Sequence, residues 1–567
     1  MSSNQGKQWE IASRITPQAD EALAAYSPVM RQVLFNRGYA TDVNARMYLE
    51  GKVNFNTSPF QMHGIPITVE RLRFALDHQE LIAIYGDYDV DGVSATALLV
   101  EALRALGGNV KPYIPNRFDE GYGLNIDALT NLKVDGVKLV VSVDCGIRSP
   151  DEADHARDIG LDLIISDHHQ PAEGNLPSAF SVVNPKQAED LYPDKDLTGV
   201  GVAYKIVQAL VESIGDVPEG FQVDDLLDLV ALGTVADLAP LTGENRILVR
   251  NGLKKIRETK RQGLFSLAAV SDLPLSRVTA TSIGFILGPR LNAAGRLESA
   301  LAAFDLLTTK DIKAAGELAQ QLNVQNRQRQ EITRKIQSEA EEIVLAEDPN
   351  ADLFFAVHTD FNAGVVGLAA SRLVETYYRP AVVGQVSGET TRCSCRSIPE
   401  FHITEALDQC KELLVRYGGH AAAAGFTVRN ENLEGLKLRL KSLAAEALHG
   451  KNLRRTLTAD TVIPLSDLNP ELLHRLDDLQ PTGYGNPEAA FVSLGVRITN
   501  KRTVGADSKH LKLVVTDDRI TLDAIGFRLG YLLSDLPTRV DILYTFESNE
   551  FNGRQSLQLN LKDVKPA

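Results

Sequence analysis

The stretch YGDYDVDG, residues 85–92, sets Asp87, Asp89 and Asp91 at alternate positions ahead of Gly92. That spacing resembles the opening of a calcium loop, where the twelfth position supplies a glutamate that completes a cage of roughly 6 to 8 oxygens. Counted from Asp87, the twelfth position is Leu98. The cage cannot close on this loop alone, so its carboxylates need co-ligands from elsewhere in the chain. Three further stretches offer them: Asp144 in VDCGI, then Asp167, His168 and His169 in SDHHQP, and Asp237 in the otherwise apolar ALGTVADLAPL. An unpaired carboxylate in an apolar stretch is costly to bury, and a cation would compensate all of them together. Aspartates with histidine make a hard-oxygen set with some borderline nitrogen, which suits Mn²⁺ or Mg²⁺ better than zinc or copper. The histidine favours manganese. Two such ions about 3.5 to 4 Å apart share a bridging carboxylate and activate water for in-line attack on phosphorus. Any one of these aspartates alone reads equally as a helix N-cap or turn residue; the set together points to metal.

The elements that must carry these residues read as follows. LIAIY (81–85) is a short buried strand, and residues 93–106 are a largely apolar helix packed on a sheet. VKPYI (110–114), KLVVSV (138–143), LDLII (161–165) and FSVV (180–183) continue the alternation, which predicts a doubly wound parallel sheet. In such sheets ligands collect at the carboxyl ends of the strands, where the acidic and imidazole groups recur. Helices are expected over 199–214 and 222–235, and one long connecting helix over 309–346, where Gly316 is the only glycine and proline is absent. A second α/β unit starts at DLFFAVH (352–358) and runs to about 448. Five strand-like runs after residue 488 predict a small barrel of the OB type. The expected division is an N-terminal helical segment (1–55), the metal-bearing domain (56–245), a helical connector (246–348), the second α/β domain (349–450) and the barrel (456–567).

At 567 residues, 44% hydrophobic and 23% charged, the chain is a folding, multidomain one. Its start lacks a signal pattern and it holds no run of about 18 apolar residues, so a soluble cytoplasmic protein is expected. Cys145, Cys393, Cys395 and Cys410 are too few and too irregular for a disulfide framework or a zinc site and read as small core residues. A net charge of −15 excludes a broadly basic nucleic-acid surface. Any such track must be local, and KKIRETKR (254–261) and RQRQEITRK (327–335) are the two candidates, each equally readable as a solvated helix face.

YGDYDVDG, VDCGI, SDHH and VAD stand in the order of the four motifs of the DHH phosphoesterase family, and the chain resembles its RecJ branch of single-strand-specific DNA exonucleases over nearly its whole length. PNRFDEGYGL (115–124), TGVGVAYK (198–205), LGPRLNAAGRL (287–297), NAGVVGLAASRL (362–373), CSCRS (393–397) and GGHAAAAGF (418–426) support the resemblance. It implies Asp89, Asp91, Asp144, His168 and Asp237 as ligands of two Mn²⁺ or Mg²⁺ ions, with Asp87 a further ligand or a partner of one. It implies His169, His420 and Asp167 as catalytic residues, with Gly418 and Gly419 letting His420 approach a phosphate oxygen. Read without the resemblance, that glycine pair is a helix C-cap and His420 a satisfied histidine. Arg290, Asn292 and Arg296 are implied as backbone clamps, and Arg117, Ser394 and Arg396 as a pocket for the 5′ end.

Two departures stand out. Phe361 and Asn362 occupy positions where the branch often carries tryptophan and histidine, and Cys393 and Cys395 replace usual glycines. The expected activity is 5′-to-3′ hydrolysis of single-stranded DNA to mononucleotides in recombination and repair, the strand running between the two α/β domains with the barrel holding it. GxxxxGK[ST] is absent, so a helicase is expected to expose the substrate, with single-strand-binding protein as a further partner. Two rivals stand beside this reading: a phosphodiesterase of short oligonucleotides or cyclic dinucleotides, and a noncatalytic replication scaffold, which the complete ligand set disfavours.

Overall fold

The structure, a computed structural model, describes residues 6–51, 57–116, 120, 123–172, 174–215, 217–551 and 554–567. The chain forms two compact units, one of Glu10–Asn323 with Thr458–Ala567, the other of Val324–Leu457 with the start of the chain up to Trp9.

The first unit is built on a parallel sheet of β1 (Leu81–Gly86), β2 (Asn109–Tyr113), β3 (Leu139–Val143), β4 (Asp162–Ser166) and β5 (Ser181–Val183), in the order β2-β1-β3-β4-β5. The chain leaves β1 to one side for β2 and returns to the other side for β3, which opens a crevice at the carboxyl ends of β1 and β3. Register aligns Gly86 with Val143 and Val143 with Ser166. Asp87, Asp144 and Asp167 are the next residues, so three acidic groups leave the sheet at one level. The strands are buried on both faces, as expected of Val- and Ile-rich parallel strands.

Helices α1 (Val90–Ala105), α2 (Gly199–Ile214), α3 (Leu227–Ala236) and α4 (Gly243–Arg257) pack their apolar residues into one cluster on one face of the sheet. A π-helical turn at Ile283–Leu287 runs straight into α5 (Gly288–Leu297), and α6 (Ile312–Glu347), the expected long helix, carries the chain into the second unit. The barrel of the first unit closes through β11 (Ala490–Val504), β12 (His510–Thr516), β13 (Thr521–Gly526), β14 (Arg539–Phe551) and β15 (Arg554–Pro566), with β11 pairing back onto β14. Its core is shared with the N-terminal helices: Leu23, Met30, Leu34 and Tyr48 are buried in the same cluster as Phe491 and Tyr544.

The second unit carries a mixed sheet in the order β9-β10-β8-β7-β6, from β6 (Phe354–His358), β7 (Ala381–Ser387), β8 (Thr390–Arg396), β9 (Leu414–His420) and β10 (Ala423–Arg429), with α7 (Val366–Tyr377) against it. Only β6 and β7 run parallel there. Among the described residues no helix is long and apolar enough to cross a membrane.

Candidate metal centre

The loop after β1 is pulled tight by its own capping chemistry. Asp89 caps α1, its Oδ1 accepting from the amides of Asp91 (2.9 Å) and Gly92 (3.1 Å). A Cβ at Gly92 would lie 2.6 Å from the backbone N and O of Asp87, so only glycine lets the helix start press against that residue. Asp91, one residue into α1, is buried, and both its oxygens accept from the start of α2: Gly199 N–H to Oδ2 at 2.7 Å and Val200 N–H to Oδ1 at 3.0 Å. A helix N-terminus presents unsatisfied amides and a partial positive charge, which suits an anionic side chain.

Asp144 follows β3 with φ +61°, a left-handed conformation that costs an L-residue about 1 to 2 kcal/mol. Its amide donates to Ser166 O, and a Cβ at Gly199 would lie 2.6 Å from its own Cβ. His168 then directs Nε2 at three carboxylates: Asp144 Oδ1 at 3.0 Å, Asp91 Oδ2 at 3.7 Å and Asp237 Oδ2 at 3.7 Å. Asp237 arrives from the end of α3 as its C-cap residue. Ligand atoms fall within 4.8 Å of one another in three overlapping sets, Asp87–Asp89–Asp144, Asp91–His168–Asp237 and Asp144–His168–His169.

The donor set fits a divalent cation. Asp144 Oδ1 and His168 Nε2 are buried and make no hydrogen bond, although burial without a partner costs each about 1 to 3 kcal/mol. Burial, reinforced by neighbouring aspartates, pushes the Asp91 and Asp144 carboxyls well above their usual range and Asp237 up to about 7. Burial and the adjacent His169 push His168 down to about 3, so its imidazole is neutral and offers a lone pair. A bound cation reverses the penalty on the carboxylates. Asp144 stands in two of the sets, as a carboxylate shared by two ions must.

Asp167 differs from its neighbours. Its Oδ1 accepts from His168 N–H (2.7 Å), His169 N–H (3.1 Å) and His169 Nδ1 (2.8 Å), and its Oδ2 from Ile147 N–H (2.9 Å). Both oxygens of Asp167 are thus taken by donors of the chain. Burial opposes charge on His169, yet the Asp167 bond and the surrounding carboxylates raise it to about 9.

An open cleft of about 280 Å³ adjoins these groups, lined by Asp87, Tyr88, Asp89, His169, Asn292 and Arg296 among others. Asn292 Oδ1 accepts from Val90 N–H at 3.2 Å and thereby ties α5 to the aspartate loop. A Cβ at Gly295 would meet Tyr88 O at 2.6 Å, which shows how closely the two lie. Arg290 is drawn elsewhere: its Nε donates to Asn323 Oδ1 (3.1 Å) and its Nη1 to Ile286 O (2.7 Å), so it is not brought into the cleft. Arg117 lies outside the described residues.

In the second unit, alternation along β8 sends Cys393 and Cys395 into the core and leaves Ser394 and Arg396 on the other face. A Cβ at Gly367, in the first turn of α7, would lie 3.3 Å from Arg396 Nη2 and 3.4 Å from Ser394 Oγ. Phe361 is buried, and Asn362 Oδ1 accepts Gly364 N–H at 2.8 Å in the turn ahead of α7. Gly418, Gly419 and His420 end the edge strand β9, so they form no helix C-cap. Gly419 has φ +149° and a Cβ there would be 2.4 Å from Ala423 O, whereas the His420 side chain is exposed.

The basic stretch KKIRETKR is no phosphate track at its end: Arg261 is buried between Glu101 and Asp228, and Lys255 pairs with Asp225. Sequence reasoning missed the amides of Gly199 and Val200, whose only trace was the TGVG stretch. It also missed Asn184, whose Nδ2 donates to His169 O at 2.9 Å, and Lys186, near enough to bear on Asp237 and His168.

Comparison with known proteins agrees with this geometry. Residues 81–234 match the DHH family N-terminal domain, 350–446 the DHHA1 domain and 459–563 the RecJ OB domain. The chain is 37% identical to the single-stranded-DNA-specific exonuclease RecJ of Bacillus subtilis, across 95% of this chain and 68% of that one. It is 34% identical to the protein of the same name from Escherichia coli, across 99% and 100%. The crystal structure of RecJ in complex with Mn²⁺ from Thermus thermophilus superimposes with a TM-score of 0.85 at 29% identity, covering 99% of this chain and 80% of that one. A second crystal structure, of RecJ with Mg²⁺ from the same organism, gives 0.79 at 28% identity, covering 99% and 78%. With its carboxylates and histidines gathered at the switch point of the parallel sheet, and with relatives matched along their length, the chain belongs to the RecJ family of single-stranded-DNA-specific exonucleases.

Proposed function

We propose that this chain hydrolyses single-stranded DNA from its 5′ end and releases 5′-mononucleotides. The observation that carries the reading is the convergence of Asp87, Asp89, Asp91, Asp144, His168 and Asp237 beside a cleft that Arg296 and Asn292 also line. Two Mn²⁺ or Mg²⁺ ions held by these ligands would supply Lewis acidity and an activated water. His169, fixed by its bond to Asp167, stands at the cleft as the group to stabilise charge or move a proton at the phosphate. Arg296 offers a guanidinium fork to a neighbouring phosphate, and Asn292 holds the aspartate loop in place. In the second unit, Ser394 and Arg396 are the residues proposed to accept a terminal phosphate, and His420, with Gly418 and Gly419 beside it, to reach a phosphate oxygen; Arg117, outside the described residues, is proposed for the terminal phosphate on the family resemblance.

The partners that fit an exonuclease without a strand-separating motif are a helicase and single-strand-binding protein, and the expected compartment is the cytoplasm. The decisive experiment digests 5′-labelled and 3′-labelled strands in Mn²⁺ with the full chain and with Asp89→Ala. The reading requires labelled mononucleotide to appear early only from 5′-labelled strands, and only with the parent chain. Early mononucleotide from the 3′ label reverses the polarity, and equal digestion by Asp89→Ala removes the metal centre from the chemistry.

A further inference from the structure

Charged and amide side chains are rarely buried unless each is bonded, yet three stand in a row where α4 begins. Glu244, Asn245 and Arg246 are 2%, 0% and 2% exposed, and each reaches a different part of the chain. Glu244 takes Tyr192 O–H and the Lys205 ammonium, the latter from α2. Arg246 donates to Gln480 O (2.7 Å) and Asp478 O (3.1 Å) in the segment ahead of β11. Asn245, between them, lends one nitrogen to two carbonyls: Nδ2 donates to Asp196 O at 2.6 Å and to Pro240 O at 3.2 Å. Two carbonyl acceptors fix which end of the amide is the nitrogen. Its Oδ1 is buried with no hydrogen-bond partner, an unfavourable state for a residue that serves stability alone.

The two carbonyls belong to the two backbones that hold one ligand set. Asp196 lies just ahead of Thr198, the N-cap of α2, whose Gly199 and Val200 amides grip Asp91. Pro240 lies just after Asp237, across a turn in which Leu238 holds φ +60°, a conformation unfavourable for leucine that persists only where neighbours fix it. Within that turn Leu238 N–H and Ala239 N–H reach back to Val235 O and Thr234 O at only 3.3 and 3.4 Å. Firmer ties come from outside: Leu241 N–H donates to Tyr484 O at 2.7 Å, and Asn245 holds Pro240 O. We propose that Asn245 is a positioning residue of the metal centre: by bridging Asp196 and Pro240 it sets the separation of Asp91 and Asp237 across His168, and with it the fit of the Asp91–His168–Asp237 set to one of two cations. The inference rests on the two-metal reading and adds to it a staple that touches neither ion nor substrate. The Asp87–Asp89–Asp144 set includes neither Asp91 nor Asp237, so the staple bears on one ion more than on the other.

The test titrates the metal-free full chain with Mn²⁺ and follows bound ions by paramagnetic resonance, alongside kcat and KM on a single-stranded oligonucleotide over a range of Mn²⁺. Asn245→Ala removes both bonds, and Asn245→Asp keeps the shape while withdrawing the amide donors. Arg261→Met is the control, because it breaks a buried network that touches neither Asp196 nor Pro240. The expected result for both Asn245 variants is one ion bound about tenfold more weakly and the other within about twofold of the parent, the low end for groups that orient metal ligands. Their kcat should fall at limiting Mn²⁺ and recover as Mn²⁺ is raised, with KM for the strand unchanged. Arg261→Met, although less stable, should bind both ions as the parent does. Parent-like affinity for both ions in a folded Asn245 variant, or a loss that Arg261→Met shares, overturns the staple. Failure of both Asn245 variants to melt cooperatively overturns it as well, since the residue would then support the fold rather than the metal. A parent chain that binds no Mn²⁺ overturns the metal centre itself, and the staple with it.

Discussion

The two α/β regions hold their histidines by opposite means. His168 is buried at the end of a parallel strand and faces Asp144, Asp91 and Asp237, each fixed by backbone of a different element. His420 ends an exposed edge strand, with Thr404 donating to its carbonyl oxygen. Burial keeps the first imidazole neutral and crowded among carboxylates, whereas the second has an exposed side chain on a hydrogen-bonded backbone. Under the proposed roles, the contrast teaches that a metal ligand and a group reaching for a phosphate need different surroundings. The ligand needs crowding and a low-dielectric setting, and the reaching group needs an unencumbered side chain on a stiff strand.

The contrast breaks most visibly at Asp144, the carboxylate common to two ligand sets. Asp144→Asn should lower turnover by more than about a hundredfold, beyond what partners of metal ligands usually carry, and should reduce Mn²⁺ stoichiometry by paramagnetic resonance. Turnover within tenfold of the parent would show that the carboxylate is not shared. Next comes His420→Ala, with an expected loss of about a hundredfold in kcat at an unchanged melting temperature, since the side chain is exposed. A lowered melting temperature there would mean that the histidine serves the hairpin.

Asp167→Asn should cost about tenfold in turnover while Mn²⁺ stoichiometry stays intact, because it orients His169 through a 2.8 Å bond and stands outside the ligand sets. Loss of metal would move Asp167 into the ligand shell. Smallest on turnover is Arg261→Met, which should leave activity per folded molecule and DNA affinity unchanged. Breaking a buried ion network by removing one partner costs about 3 to 5 kcal/mol, so denaturant unfolding should shift by that much. Weaker DNA binding with unaltered stability would restore KKIRETKR as a phosphate track.

Much of this was legible in advance because it is local. The strand alternation, the long α6 and the five-stranded barrel follow from periodicity, and the gathering of aspartates able to hold a metal follows from strand ends in a doubly wound sheet. Residues whose roles depend on a distant partner were not legible. Arg290 lies in the same helix as Arg296, yet Asn323 and Ile286 draw it away from the cleft. Arg261 looks like its basic neighbours until Glu101 and Asp228 close on it. The apolar stripes of the N-terminal helices announce a buried face, but nothing in them names the barrel as the surface they cover.

The order and spacing of YGDYDVDG, VDCGI, SDHH and VAD determined which side chains can do chemistry, since residue type and place at a strand end are written along the chain. Tertiary structure alone decided how they divide the work. Asp91 is gripped by Gly199 and Val200, more than a hundred residues away, Asp144 is shared between ligand sets, and Asp167 is spent on the loop itself. The reason is physical: a carboxylate's role is set by which donors reach its two oxygens first, and those donors come from backbone that only folding brings near.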